Sequence, residues 1–141
     1  IIMDRQIVLN RIRTPDGTIL ASRHVHDYVT HIDANGLSYC CDGGNEYLRR
    51  TIHDKAPYEE MSLYEDDNFE EIRKYYCRGG RGINGDQPLT WVPIGEMSEE
   101  WLEACIVYNE KQGTDKGVAN RLYKKELEYR KLCPEVNKNQ G

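Results

Sequence analysis

The feature that most constrains the fold is a turn sequence, Thr-Pro-Asp-Gly, at positions 14–17. It separates two runs of strand-forming residues, 6–12 and 18–22. Proline fixes its own φ and glycine adopts a positive φ, which together favour a tight reversal of the chain. The sequence therefore predicts an antiparallel β-hairpin at the start of the chain.

A second turn sequence, Asp-Ala-Asn-Gly, occupies positions 33–36 between the runs 27–32 and 37–41. An Asn-Gly step between such runs is the strongest short-range signal for a hairpin. The first fifty residues are therefore expected to form a β-meander that ends at positions 42–44, Asp-Gly-Gly. Residues 45–50 are compatible with a short helical turn or with another strand.

The middle of the chain has weaker signals. Residues 54–72 are acidic and are expected to form a loop, with a short helix near 65–75. Two further strands, 75–78 and 89–94, are predicted on either side of the glycine-rich loop 79–87. A sheet of about six strands would result.

The pattern becomes helical after Ser98, which with the two following glutamates is a good helix N-terminus. Apolar and polar positions then recur at helical spacing: Trp101, Leu102, Cys105, Ile106 and Asn109. A second helix is predicted from 115 to 132, with Val118, Leu122 and Leu127 on one face and Pro134 beyond its end. The short link between the helices predicts an antiparallel hairpin.

These elements predict one α+β domain over 1–141, with an N-terminal antiparallel β-sheet meander and a C-terminal antiparallel helical hairpin. The sheet would lie mainly within 1–94, the hairpin within 98–132, and 133–141 would be a tail. At 141 residues, the chain is large enough to bury roughly two thirds of its unfolded surface in one core.

The sequence also bears on location and on metals. No stretch approaches the ~20 apolar residues of a membrane span, and the first residues lack the basic and apolar regions of a signal peptide. We therefore expect a cytoplasmic protein with no membrane contact. The five cysteines, at 40, 41, 77, 105 and 133, are odd in number and contain no Cys-x-x-Cys motif, so we expect reduced thiols and neither a metal nor a cofactor.

Charge is unevenly distributed. The net charge of −5 argues against binding of long nucleic acids. Eight acidic residues and one lysine lie between 54 and 71, whereas eight basic and four acidic residues lie between 111 and 138. These segments can attract each other between subunits, and the basic end can hold phosphates; two solvated faces are the alternative. The ten tyrosines and the alternating charge of the helices led us to expect at least a homodimer, or a higher homo-oligomer.

Candidate catalytic residues cluster between Arg23 and His31, where His24, His26 and Asp27 are the acid/base candidates. None of the four histidines is followed two positions later by Thr or Ser, so the two-histidine phosphoesterase mechanism is excluded. No nucleophile-elbow motif is present. We therefore predict no catalytic residue, with a nucleotide-acting enzyme as an alternative.

Two regions suit anions. In the loop 77–86, glycines and the guanidinium groups of Arg78 and Arg81 suit a phosphate, although a flexible hairpin loop is the alternative. In the helical hairpin, Asn109 lies just before the connection and Arg121 just after it, with Lys125 one turn further. A base edge can meet the asparagine while phosphates meet the two cations; a solvated basic face is the alternative.

Four segments taken together resemble a family of small phage proteins, the first-described anti-Thoeris sponges: HDYVTHIDANG, DGGNEYLRR, LTWVPIGEMSEEWLEACIVYNE and ANRLYKKELEYRKL. The resemblance covers nearly the whole chain. It implies an N-terminal sheet, two C-terminal helices and sequestration, without cleavage, of glycocyclic ADP-ribose, a cyclic ADP-ribose-type immune signal. It also implies oligomers, in some members hexamers with separate sites for cyclic oligonucleotides.

The resemblance further implies a pocket at a dimer interface. Trp91 or Trp101 would stack on the adenine, Asn109 would contact the base or ribose, and Arg121 would contact phosphate. From the sheet side, three residues would line this pocket: Arg23, His24 and Arg49.

The first fifty residues also look like a zinc-ribbon-like pair of hairpins whose knuckles lack cysteine ligands. A phage inhibitor that binds a host protein remains a further alternative function.

Overall fold

A computed structural model describes residues 6–24, 27–44, 49–51, 57–82 and 84–133, with backbone alone over 49–51. The chain divides into two compact units, Ile1–Ile72 and Arg73–Gly141. Each unit is described below by itself. The single domain expected over 1–141 therefore stays a prediction.

The first unit is built from antiparallel strands. They are β1 (Ile7–Arg13), β2 (Ile19–Ser22), β3 (Val29–Ile32), β4 (Ser38–Asp42), β5 (Arg49–Thr51), β6 (Glu59–Glu60) and β7 (Leu63–Tyr64). One sheet has the order β2-β1-β6, with β7 also paired to β1, and the other has the order β3-β4-β5. The two predicted hairpins, β1–β2 and β3–β4, are thereby confirmed.

The turns form for the reasons read from the sequence. Gly17 and Gly36 have φ values of 88° and 78°, in the left-handed region that favours glycine. In the second turn, Asp33 Oδ1 accepts hydrogen bonds from the backbone amides of Asn35 and Leu37, both at 2.9 Å. This local bonding sets the register of the β3–β4 hairpin.

The core of the first unit joins its two sheets. Ile12 and Leu20 contribute from one sheet, and Tyr39 and Cys41 contribute from the other; none is more than 5% exposed. A buried polar contact lies beside them, because the Asn10 side-chain amide donates to the Asp42 carbonyl at 2.6 Å. The β1–β2 and β3–β4 hairpins belong to different sheets, so side-chain packing links them and backbone hydrogen bonding between strands does not.

The expected sheet of about six strands is wrong, because the strands of the described residues fall into three separate sheets. The edge of β1 that is not paired to β2 is occupied by β6 and β7, which arise from the acidic stretch expected to be a loop. Arg13 forms an ion pair with Glu59, and Arg11 Nε donates to the Met61 carbonyl at 3.0 Å. Cationic side chains of β1 thus hold the acidic segment.

The second unit contains a two-stranded ribbon and two long helices. Its elements are β8 (Cys77–Gly80), β9 (Thr90–Pro93), a 3₁₀ turn (Ile94–Glu96), α2 (Glu99–Gln112) and α3 (Val118–Leu132). The short helix α1 (Phe69–Tyr75) precedes β8 and begins four residues later than the sequence suggested. The α+β class, with antiparallel sheets followed by a helical hairpin, is confirmed.

The start of α2 follows the sequence signal, and a glycine ends the helix. Ser98 caps the helix by accepting a hydrogen bond from the Trp101 amide at 3.1 Å. Gly113 ends it in the left-handed conformation, φ 75°, and the Thr114 amide bonds to the Asn109 carbonyl at 2.8 Å. Helix α3 begins at Val118, three residues after the predicted start, and Pro134 lies outside the described residues. Every helix in the described part of the chain is too short or too polar to cross a membrane.

A buried ionic group holds the second unit together. The Glu126 carboxylate receives Arg73 Nε at 2.7 Å and Nη2 at 2.8 Å, and it receives Arg130 Nε at 2.6 Å. Arg130 Nη2 also donates to the carbonyls of Ile94, at 3.1 Å, and Met97, at 2.7 Å. Glu126 is fully buried, so this pairing fixes α3 against the 3₁₀ turn.

Candidate functional site

The ribbon β8–β9 carries the glycines and arginine that the sequence singled out. Arg78 pairs with Val92, Gly79 pairs with Trp91, and Gly80 pairs with Thr90. Successive side chains of a strand point to opposite faces. Arg78 and Gly80 therefore share one face of the ribbon, whereas Gly79 belongs to the other.

Each glycine of the ribbon accommodates an indole. A Cβ at Gly80 would lie 3.0 Å from Trp101 Cζ2, and a Cβ at Gly79 would lie 3.2 Å from Trp91 Cζ3 and from Leu89 Cδ1. Such distances are tighter than ordinary carbon contacts, so the absence of a side chain lets each ring approach the backbone. The two candidate stacking residues are thus brought to one ribbon, on its two faces.

Arg78 is half-buried and lies two residues from Gly80, on the ribbon face that Trp101 covers. Its Nη1 donates to the Tyr123 hydroxyl at 3.2 Å, and Tyr123 is 2% exposed. Cys105, on the next turn of α2 after Trp101, is 4% exposed. Among the described residues, no carboxylate forms an ion pair with Arg78. A partly buried cation therefore has a tyrosine hydroxyl as a hydrogen-bond acceptor and no ion-pair partner within the described part of the chain.

The acidities around Arg78 reflect burial. Burial raises the pKa of the Tyr123 hydroxyl, and the Arg78 cation partly offsets this. The same two causes act on the Cys105 thiol, whose pKa is raised on balance. Burial likewise raises the pKa of Tyr76 far above its usual value. The tyrosine and cysteine side chains here are neutral near pH 7, so Arg78 carries the local charge.

The helical hairpin arranges its candidates differently from expectation. Asn109 is buried, and its side-chain amide donates to Asn120 Oδ1 at 2.9 Å, so it meets Asn120 rather than Arg121. Arg121 is exposed, and its Nη1 donates to the Lys116 carbonyl at 2.6 Å. Lys125 is also exposed, one turn further along α3. The two cations therefore share an outer surface from which the Asn109 amide is turned away.

In the first unit, the candidate residues Arg23, His24 and Asp27 lie at a local turn. Arg23 and His24 are exposed, and the Arg23 amide donates to Asp27 Oδ2 at 2.9 Å. The buried Ser22 hydroxyl donates to the Asp27 carbonyl at 2.6 Å, which closes the turn. Asp27 thus has a structural partner at one carboxylate oxygen. His26 and the side chain of Arg49 lie outside the described residues.

Metal ligands are not grouped in the part of the chain that the structure describes, where no three His, Cys, Asp or Glu side chains come together. None of the five cysteines forms a disulfide bond. In the turn that resembles a zinc knuckle, Thr14 and Asp16 bond to each other, and the Thr18 amide donates to Asp16 Oδ1 at 3.2 Å. Side-chain bonding closes this turn.

Sequence reasoning had named Arg78 as part of a loop but had missed its neighbours. Strand alternation was a usable signal, since it places Arg78 on the face of Gly80. Tyr123 carried no such signal, because its position on α3 acquires meaning only when that helix packs beside the ribbon. The same is true of Asn120 and of the Glu126 ionic group.

Comparisons with known proteins identify no relative of this chain: it matches no family model, no curated protein and no solved structure.

Proposed function

We propose that the protein binds a cyclic ADP-ribose-type signalling nucleotide, of which glycocyclic ADP-ribose is the test case, and sequesters it without cleaving it. The observation that carries the proposal is the partly buried Arg78 guanidinium, which has a tyrosine hydroxyl as its protein partner and an indole nearby. A phosphate and a base are the two chemical groups that such a pair recognises.

Arg78 forms no ion pair with any residue that the structure describes. A guanidinium that is partly withdrawn from water loses hydration, and in this structure the Tyr123 hydroxyl replaces one hydrogen bond of that lost shell. Its remaining N–H groups suit a bidentate anion such as a phosphate. A nucleotide phosphate would supply the missing charge in a setting where the dielectric is lower than in water.

Arg78 and Gly80 lie two residues apart on one face, which corresponds to about 7 Å. Trp101 covers Gly80, so cation and indole are within the span of one nucleotide. Trp91 lies over the other face and offers a second platform for stacking. Stacking on an aromatic side chain contributes roughly 1–3 kcal/mol per base.

The residues from the resemblance enter as a second group. Arg121 and Lys125 form an exposed basic surface, which suits phosphate. Arg23, His24 and Arg49 belong to the first unit, and Asn109 is engaged with Asn120. We therefore assign the larger share of the binding energy to Arg78 and Trp101.

The first experiment measures binding and chemical fate together. Purified protein is mixed with glycocyclic ADP-ribose, separated from free ligand, and heated; the released compound is identified by mass spectrometry. Intact ligand at a fixed stoichiometry supports sequestration. Altered ligand would instead favour an enzyme using His24, His26 or Asp27, and absence of uptake would favour a module that binds a host protein.

The second experiment locates the site with matched variants. Arg78→Gln should weaken binding by about ten- to a hundred-fold, since a charge-assisted hydrogen bond contributes roughly 1.5–3 kcal/mol. Arg121→Ala tests the hairpin surface, and Lys124→Ala, another exposed cation of α3, is the control. Circular dichroism verifies that each variant is folded. Full loss in Arg121→Ala with none in Arg78→Gln would move the site to the hairpin end.

A second nucleotide site is part of the same proposal. With the first ligand saturating, a cyclic oligonucleotide is titrated into the complex by calorimetry. Heat of binding with its own stoichiometry, while the first ligand stays bound, supports separate sites. Displacement of the first ligand by the cyclic oligonucleotide indicates a shared site.

A further inference from the structure

The outward face of α2 carries a mixed apolar and charged stripe. Its members recur at helical spacing and we call them the outer stripe: Glu100, Glu103, Ala104, Val107, Tyr108 and Lys111. The opposite face of the same helix is buried through Leu102, Cys105 and Asn109. The outer stripe is therefore what α2 presents away from its own unit.

The apolar part of the outer stripe is unusually exposed. Val107 is 46% exposed and Tyr108 is 55% exposed, and Ala104 lies between the charged residues at the helix start and these two. The side chains of Glu100, Glu103 and Lys111 form no ion pair with any described residue. The stripe thus combines uncovered apolar surface with charges that have no counterpart in the described chain.

The order of residues in the outer stripe is complementary to its own reverse. When two copies of α2 lie antiparallel about a two-fold axis between positions 105 and 106, Glu100 of each copy faces Lys111 of the other. Ala104 then faces Val107, so a small residue meets a larger one. Glu103 faces Tyr108, so a carboxylate meets a phenol hydroxyl. All six positions have a matched partner in this arrangement.

We infer that the outer stripe docks onto a second copy of this chain, with the two α2 helices antiparallel. Charge complementarity selects this occupant, because acids stand at one end of the stripe and Lys111 stands at the other. A parallel pair would place Glu100 against Glu100 and Lys111 against Lys111, which is repulsive. The small Ala104 at the centre allows close approach of the helices.

The association should be weak and sensitive to salt. Glu100 and Lys111 are eleven residues apart, which corresponds to about 16 Å of helix. One such stripe buries less surface than the roughly 1,000 Å² expected of a stable interface. We therefore expect a dissociation constant on the order of 100 µM for the dimer. Exposed ion pairs are screened, and the dimer should loosen as salt is raised.

The test is sedimentation equilibrium of the full chain over a concentration series up to about 1 mM. Glu100→Lys and Lys111→Glu should each weaken self-association by about tenfold, because both two-fold-related pairs become repulsive. An equimolar mixture of the two single variants should associate as the parent does, since each mixed pair again joins opposite charges. Circular dichroism verifies folding, and Glu128→Lys on α3 is the control with the same charge change.

Any of three results would overturn the inference. The first is a parent chain that stays monomeric throughout the series. The second is a parent dimer that is unaffected by both α2 variants, and the third is a mixture of the two variants that associates no better than either alone.

Discussion

Replacing Glu126 with glutamine should destabilise the second unit severely. The Glu126 carboxylate is fully buried and receives three hydrogen bonds, at 2.6 to 2.8 Å, from the guanidinium groups of Arg73 and Arg130. Glutamine keeps the shape but removes the negative charge, and its NH₂ group meets an arginine donor. Two cations then remain near one another without a counter-charge.

The magnitude follows from burial. Removing one partner of a buried ion pair costs about 3–5 kcal/mol. The Arg73 side chain is 16% exposed and can turn toward water, whereas that of Arg130 is 4% exposed. We therefore expect a loss of about 3 kcal/mol in the free energy of unfolding. In a chain of 141 residues this lowers the melting temperature by on the order of 10 °C.

The assay is thermal and urea unfolding followed by circular dichroism. Glu128→Gln is the matched control, because Glu128 is on the same helix but forms an exposed pair with Lys131 at 3.9 Å. That change should shift stability by no more than about 0.5 kcal/mol. A double-mutant cycle of Arg73→Gln with Glu126→Gln should show strong coupling. If Glu126→Gln melts within about 2 °C of the parent, the buried ionic group does not stabilise the unit as reasoned.

Two further predictions concern the first unit. The Thr14 hydroxyl and the His31 ring hold the pKa of Asp16 well below its ordinary value of 3.8. The stabilisation that Asp16 contributes is therefore complete above that ordinary value and is lost as pH falls through the folded-state pKa. Carboxyl NMR should show this depressed pKa and its rise in His31→Ala, and an Asp16 pKa at the usual value in the parent contradicts the assignment. Gly44 has a φ of 55°, and an added Cβ would collide with the backbone of His24. Gly44→Ala should therefore lower the free energy of unfolding by at least about 2 kcal/mol. Gly36 has a φ of 78° but open space around it, so Gly36→Ala should lower the free energy of unfolding by only about 1 kcal/mol. Urea unfolding measures both variants, and equal losses of stability would refute the collision with the backbone.

The sequence by itself determined the local elements. The turns at 14–17 and 33–36 specify the β1–β2 and β3–β4 hairpins, because the bonds that close each turn join residues within the turn to the residue that follows it. Ser98 and Gly113 likewise mark the ends of α2, since each acts on backbone groups of its own helix. Such signals are readable because their energy is local in the chain.

Tertiary structure decided what those elements pair with. On its second edge, β1 pairs with β6 and β7, which are each two residues long. Such short strands show no alternation of apolar and polar residues that could be recognised in the sequence. The contact of Arg73 with Glu126 joins residues 53 positions apart, and that of Arg78 with Tyr123 joins residues 45 positions apart. Asn109 was expected to meet a ligand and instead bonds to Asn120 across the helical hairpin. Polar residues such as these look solvated in a sequence, and packing alone assigns them a partner, because a buried polar group is stable only where another element completes its hydrogen bonds.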